Sequence, residues 1–162
     1  MSITITPESK NVFVETLVPG VATDTGATSP GTMADDATVG TVAWSNPDNA
    51  KTANNVGSEP VLNAGETSHY LKATNFGFSI PAGATIDGVL VEIRRQYDLF
   101  ADPGVTDSSV KLVKGGTISG DEKSTGTALP SSWAYKSYGG SSDVWGLALT
   151  AEDINLTTFG VV

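Results

Sequence analysis

The sequence predicts an all-β protein: an antiparallel β-sandwich of jelly-roll type, preceded by an extended N-terminal arm. Three observations carry that expectation. Short runs of β-branched and aromatic residues alternate with polar ones. Clusters of Gly, Pro, Asn and Asp interrupt those runs at short intervals, and the chain holds 18 glycines. Only one short segment has a helical pattern, which leaves packed sheets as the way to bury a core. The arm is placed at residues 1–40 and the sandwich at 41–162.

In chain order, "SITIT" and "NVFVETLV" carry β-branched residues with partial alternation. The stretch "ETLVPGVATDTGATSPGTMADDATVG" that follows has no Lys, Arg, Trp, Tyr or Phe. So little apolar surface does not offset the entropy of ordering the chain. The first forty residues are thus either a frayed terminus or an arm that orders by adding strands to a neighbouring subunit. From Thr41 the texture is that of a packed domain. "TVAW" (41–44) is a short strand candidate, and "SNPDNA" (45–50) is a turn in which Pro47 sets φ. "HYLKATNFGFSI" (69–80) reads as strand with a possible bulge at Gly77, and "PAGA" (81–84) as a turn.

"TIDGVLVEIRRQYDLF" (85–100) is the clearest strand. Val89, Val91 and Ile93 fall on one face, with Leu90, Glu92 and Arg94 on the other. "SSVKLVKGG" (108–116) alternates likewise and ends in Gly115-Gly116, suited to a tight turn. "VWGLALT" (144–150) and "TFGVV" (158–162) read as the last two strands. Between them "TAEDINL" (150–156) reads as one helical turn, with Thr150 as N-cap and Asp153 completing a capping box. "YGGSSDVWG" (138–146) is either a pocket that holds a ligand or a corner where one strand ends and another begins: Gly139 and Gly140 permit positive φ, and Asp143 can bond its own backbone.

Composition bounds function. At 162 residues and 16.7 kDa the chain is one domain's worth. A net charge of −9 repels phosphate backbones and anionic lipid, so neither nucleic acid nor a membrane surface is an expected partner. With no cysteine there is no disulfide, thiolate metal site or Cys nucleophile. No basic region followed by an apolar run opens the chain, so no signal peptide is expected. No apolar stretch approaches the ~20 residues of a membrane helix.

The search for chemistry predicts no enzyme. The single histidine, His69, has no Gly-x-Ser-x-Gly elbow to serve, so no catalytic residues are assigned. Asp98, Asp102 and Asp107 share a loop but lack EF-hand spacing, and one His without Cys makes a poor transition-metal site. No metal and no cofactor are expected. "WAYKSYGGSSDVW" brings Trp133, Tyr135, Tyr138 and Trp145 together. Trp145 belongs to the core. Trp133, Tyr135 and Tyr138 are the candidate ligand-binding residues, since exposed aromatics can stack on sugar rings; the competing reading packs Trp133 and Tyr135 under a loop.

"WSNPDNA", "FGFSIPAGATIDGVLVEI", "SSVKLVKGG" and "YGGSSDVWGLALTAEDIN" with "FGVV" together resemble a recurrent β-sandwich module of tailed-bacteriophage virions. The likeness spans residues 41–162 and is similar to capsid decoration (cement) proteins and other head- or tail-associated structural proteins. It rests on turn and strand signatures, so it carries over no catalytic residue. The resemblance implies a non-enzymatic, multi-copy virion component, a homotrimer made in the host cytoplasm. It would bind the major capsid protein on the outer surface of the capsid and bridge capsomers. The alternative is a tail or fibre module that binds host glycan through the aromatic cluster.

Overall fold

The computed structural model describes residues 3–18, 21–97 and 104–162. Two five-stranded antiparallel sheets account for the named strands. The first runs β2 (Val21–Asp24), β1 (Ile3–Val18), β6 (Thr85–Tyr97), β9 (Ala134–Gly140), with the short β4 (Val61–Leu62) paired to the first residues of β1. The second runs β3 (Thr32–Asp36), β5 (Tyr70–Thr74), β10 (Gly160–Val161), β7 (Leu112–Lys114), β8 (Thr117–Ser119). A 3-10 turn at Pro47–Lys51 and one helical turn, α1 (Ala151–Asn155), complete the elements.

One core lies where the apolar faces of both sheets meet. Val12 and Val14 of β1, Val89, Val91 and Ile93 of β6 and Tyr138 of β9 share a cluster with Met33, Leu71, Ala73, Leu112 and Val161 of the second sheet. Period-two alternation explains the set: in β6 every second residue is buried from Val89 to Arg95. A smaller apolar cluster of Leu62, Val105 and Leu129 closes one end, against Val42 and Tyr97.

Several local expectations hold. α1 carries the capping box in full: the Thr150 hydroxyl accepts from the Asp153 N–H, and the Asp153 carboxylate accepts from the Thr150 N–H. Gly115 and Gly116 both take positive φ in the β7–β8 hairpin, as a type I′ turn requires.

Other expectations need correction. "TVAW" forms only an isolated bridge, at Val42 with Ser68, rather than a strand, and the Trp44 indole N–H donates to the His69 carbonyl. The 69–80 strand stops at Thr74, where Asn75 takes positive φ and the ladder cannot continue. "VWGLALT" is not a strand, since Trp145 and Gly146 take positive φ and fold the chain over. Residues 98–100, at the expected end of the long strand, lie outside the described residues.

The first forty residues differ most from expectation. Instead of an arm leaving its own domain, Ile3–Val18 lies inside the first sheet, paired with β6 from Ile5↔Tyr97 to Leu17↔Thr85 and flanked by β2. Val12 and Val14 are fully buried. β3 pairs with β5 from Thr32↔Thr74 to Asp36↔Tyr70. Polar, Gly-rich intervening sequence is tolerated because the strands it joins pair with distant, strongly apolar partners, and tertiary burial outweighs weak local composition.

Candidate functional site

Arg95 continues the inward face of β6 beyond Ile93, so a guanidinium enters where an apolar side chain is expected. Its charge is met at once. Nη1 donates to Asp107 Oδ1 at 2.7 Å, and both side chains are more than nine-tenths buried. The Tyr138 hydroxyl donates to the other oxygen of Asp107 at 2.8 Å, and the guanidinium lies 5.9 Å from the Tyr138 ring centre. Burial opposes ionisation of Asp107, but hydrogen bonds from Arg95 and Tyr138 outweigh it and hold the carboxyl below its usual value. Burial pushes the Tyr138 hydroxyl well above the ordinary range, despite the nearby Arg95 charge. Tyr138 is therefore a neutral donor. Arg95 Nε has no partner among the described residues.

This triad lies at the floor of a cleft of about 490 Å³. Leu62, Val105 and Leu129 belong to its apolar lining and Ser109, Tyr70 and His69 to its polar lining. Each of these three polar groups is engaged. Glu122 accepts from the Ser109 hydroxyl at 2.5 Å and from the Val110 N–H at 2.6 Å, and Tyr70 is 3.3 Å from Ser109. His69 Nδ1 is 2.8 Å from Asp35, whose second oxygen accepts from the Trp44 N–H. No hydroxyl nucleophile hydrogen-bonds His69 among the described residues.

The corner 138–146 uses its site-like chemistry to finish the sheet. Trp145 is fully buried at φ +57°, an uncommon conformation for a bulky residue. Three bonds hold it there. Its backbone N–H donates to Asp143 Oδ1, its indole N–H to the Val89 carbonyl, and its carbonyl accepts from the Asp121 N–H, each at 2.8 Å. The Asp143 carbonyl in turn takes the Val89 N–H. Lys123 bonds Asp143 at 2.8 Å and lies 5.7 Å from the Trp145 ring centre. Both backbone groups of Val89, a central core residue, are thus satisfied by the corner.

The three expected ligand-binding aromatics are not brought together. Tyr138 points into the core, at 4% exposure. Tyr135 stands on the opposite face of β9, 50% exposed, across from Arg94 of β6. Trp133, half-buried just before β9, carries the Arg94 guanidinium 5.0 Å from its ring centre. It lines a second, smaller hollow with Asn46, Asn55, Glu59 and Gln96. Of the loop carboxylates, Asp107 is taken by Arg95, while Asp98 and Asp102 lie outside the described residues. No group of three metal-ligating side chains occurs among the described residues. The triad was missed by sequence reasoning although a signal existed: Arg95 follows Val89, Val91 and Ile93 at the same parity.

Comparison with protein-family models, with curated proteins and with solved structures finds no match to this chain.

Proposed function

We propose that the protein is a non-enzymatic structural component of a tailed-phage virion, a capsid decoration protein that stabilises the head by bridging capsomers. The observation that carries this reading is how the chemistry-bearing side chains are used. Arg95–Asp107–Tyr138, Lys123–Asp143, Lys72–Asp36 and Lys114–Asp153 all tie separate segments of the fold to one another. Such cross-links suit a scaffold that must keep its shape under load. The resemblance of residues 41–162 to virion modules supports the same reading, as does an acidic surface that DNA repels.

The two sheets fit a jelly-roll sandwich in permuted order. Strands β2-β1-β6-β9 match one four-stranded sheet of such a roll and β5-β10-β7-β8 the other, with β3 added at an edge. β1 takes the place that the last strand of a roll holds in the usual chain order.

On a capsid the mechanism is mechanical. Each copy, in a homotrimer, covers a joint between copies of the major capsid protein on the outer surface. Burial contributes about 25 cal/mol per Å² of apolar surface, and repetition over the shell multiplies a modest contact. The test is to add gold-labelled protein to particles lacking it and image them at low resolution. Density at fixed symmetry sites on the head exterior is expected; label confined to tails, or none bound, refutes the assignment.

A further inference from the structure

We propose that the hollow beside Trp133 binds a neutral oligosaccharide. This goes beyond the capsid assignment and does not depend on it. The hollow, of about 300 Å³, forms where the outward face of the first sheet meets the loop that carries Asn46, Asn55 and Glu59. Alternation puts Arg94 and Gln96 side by side on that face of β6, away from Ile93 and Arg95. The register sets Tyr135 of β9 directly across from Arg94. Trp133 immediately precedes the same strand.

Arg94 organises the hollow. Its guanidinium lies 5.0 Å from the Trp133 ring centre, and Nη2 donates to Asn55 Oδ1 at 3.0 Å. The indole is thereby held in orientation by a cation–π contact. With the Asn55 carbonyl occupied by Arg94, its NH₂ is the part left to donate to a ligand. Gln96 and Asn46 each add a donor and an acceptor, and Glu59 adds two acceptor oxygens.

Ligand class follows from that lining. A sugar hydroxyl is donor and acceptor at once, so neighbouring hydroxyls match planar amide and carboxylate groups. The apolar C–H face of a pyranose matches an indole. The amide-rich lining does not suit an apolar peptide anchor. An anionic ligand would meet Glu59 and a chain of net charge −9. Tyr135 lies two residues beyond Trp133, roughly 7 Å further along an extended strand at 3.3–3.4 Å per residue. Its half-exposed ring lies outside the hollow's lining, where a second sugar unit of a bound chain would reach it, which makes the fitting ligand an oligosaccharide.

The test uses the full chain on an array of neutral oligosaccharides built from hexose and N-acetylhexosamine units. The best binder is then titrated by calorimetry. Saturable binding is expected, weakened at least ten-fold by Trp133→Ala and by Gln96→Ala, with circular dichroism unchanged. Tyr135→Ala should weaken a trisaccharide more than the corresponding monosaccharide. If Trp133→Ala does not fold, Gln96→Ala decides alone. No neutral glycan bound at millimolar concentration, binding unaffected by Gln96→Ala, or a preference for acidic glycans would overturn the proposal. Each of those outcomes leaves the capsid assignment standing.

Discussion

Arg95 and Asp107 pose the sharpest energetic question at the residue scale. A buried ion pair adds little net stability over well-packed apolar residues, but removing one partner strands a buried charge. Arg95→Ala is therefore expected to cost about 3–5 kcal/mol in urea unfolding, and the double variant Arg95→Met/Asp107→Leu distinctly less. Equal losses would mean that the pair contributes through something other than charge compensation. The carboxylates also set the response to acid. A hydrogen bond from Lys72, then one from Thr38, lowers Asp36 from 3.8 to about 2. Asp107, Glu122, Asp143 and Asp153 are lowered too: burial raises each, and hydrogen bonds from protein donors outweigh it. A depressed carboxyl contributes stability that is fully present above its unfolded value, near 4, and is lost as pH falls through its folded value. Urea midpoints should thus be flat from pH 7 to about 5 and fall between about 4 and 2. A midpoint that rises on acidification would contradict these directions.

Among the elements, β6 and the corner after β9 make the most exposed claims. Ile93 closes the apolar run of β6 and is buried in the shared core. Ile93→Ala should cost about 2–5 kcal/mol. A loss within ~0.5 kcal/mol, the range of a surface substitution, would put that face of the strand in solvent. In the corner, Gly139 has φ +72°, and a Cβ there would lie 2.4 Å from both the Val89 carbonyl oxygen and Trp145 Nε1. The left-handed conformation alone costs a side chain about 1–2 kcal/mol, and the clash adds to it. The adjacent Gly140 has no atom within 4 Å of its would-be Cβ. Gly139→Ala should therefore lower the melting temperature clearly while Gly140→Ala changes stability by less than ~0.5 kcal/mol. Equal behaviour would mean that the corner does not pack against Trp145.

The place of β1 decides how the whole molecule holds together. With β1 and β2 gone, β6 would become an open edge strand and the Val89–Val91 side of the core would be uncovered. Deleting residues 1–24 is expected to abolish cooperative unfolding; a truncated chain with a sharp transition would restore the arm reading. A second measurement asks whose strand it is. Val14 and Val89 are Cα partners in the ladder, at a separation of about 4.5–5.5 Å that a disulfide can span. The chain has no other thiol. Oxidised Val14→Cys/Val89→Cys protein should run as a monomer on a non-reducing gel, whereas a cross-linked oligomer would show that neighbours exchange the strand.

What could be read without coordinates was local. Alternation alone assigns Val89, Val91 and Ile93 to the core, and the capping box at Thr150 and the Gly115-Gly116 turn follow from backbone chemistry within a few residues. At 138–146 only the bond from the Trp145 N–H to Asp143 follows in this way, since Tyr138–Gly140 belong to β9 and no strand begins at Trp145. The tertiary structure decided whatever depends on distant partners. β1 is a central strand because Val12 and Val14 find the apolar face of β6, and polar flanking sequence gives no sign of such a partner. Arg95 is tolerated inside because Asp107 and Tyr138 arrive from other segments. Trp133, Tyr135 and Tyr138 are close in sequence, yet strand parity and the end of β9 separate them: one into the core, one onto the sheet face, one beside Arg94. Local rules set backbone conformation and side-chain parity; long-range pairing sets which face meets another sheet and which meets water.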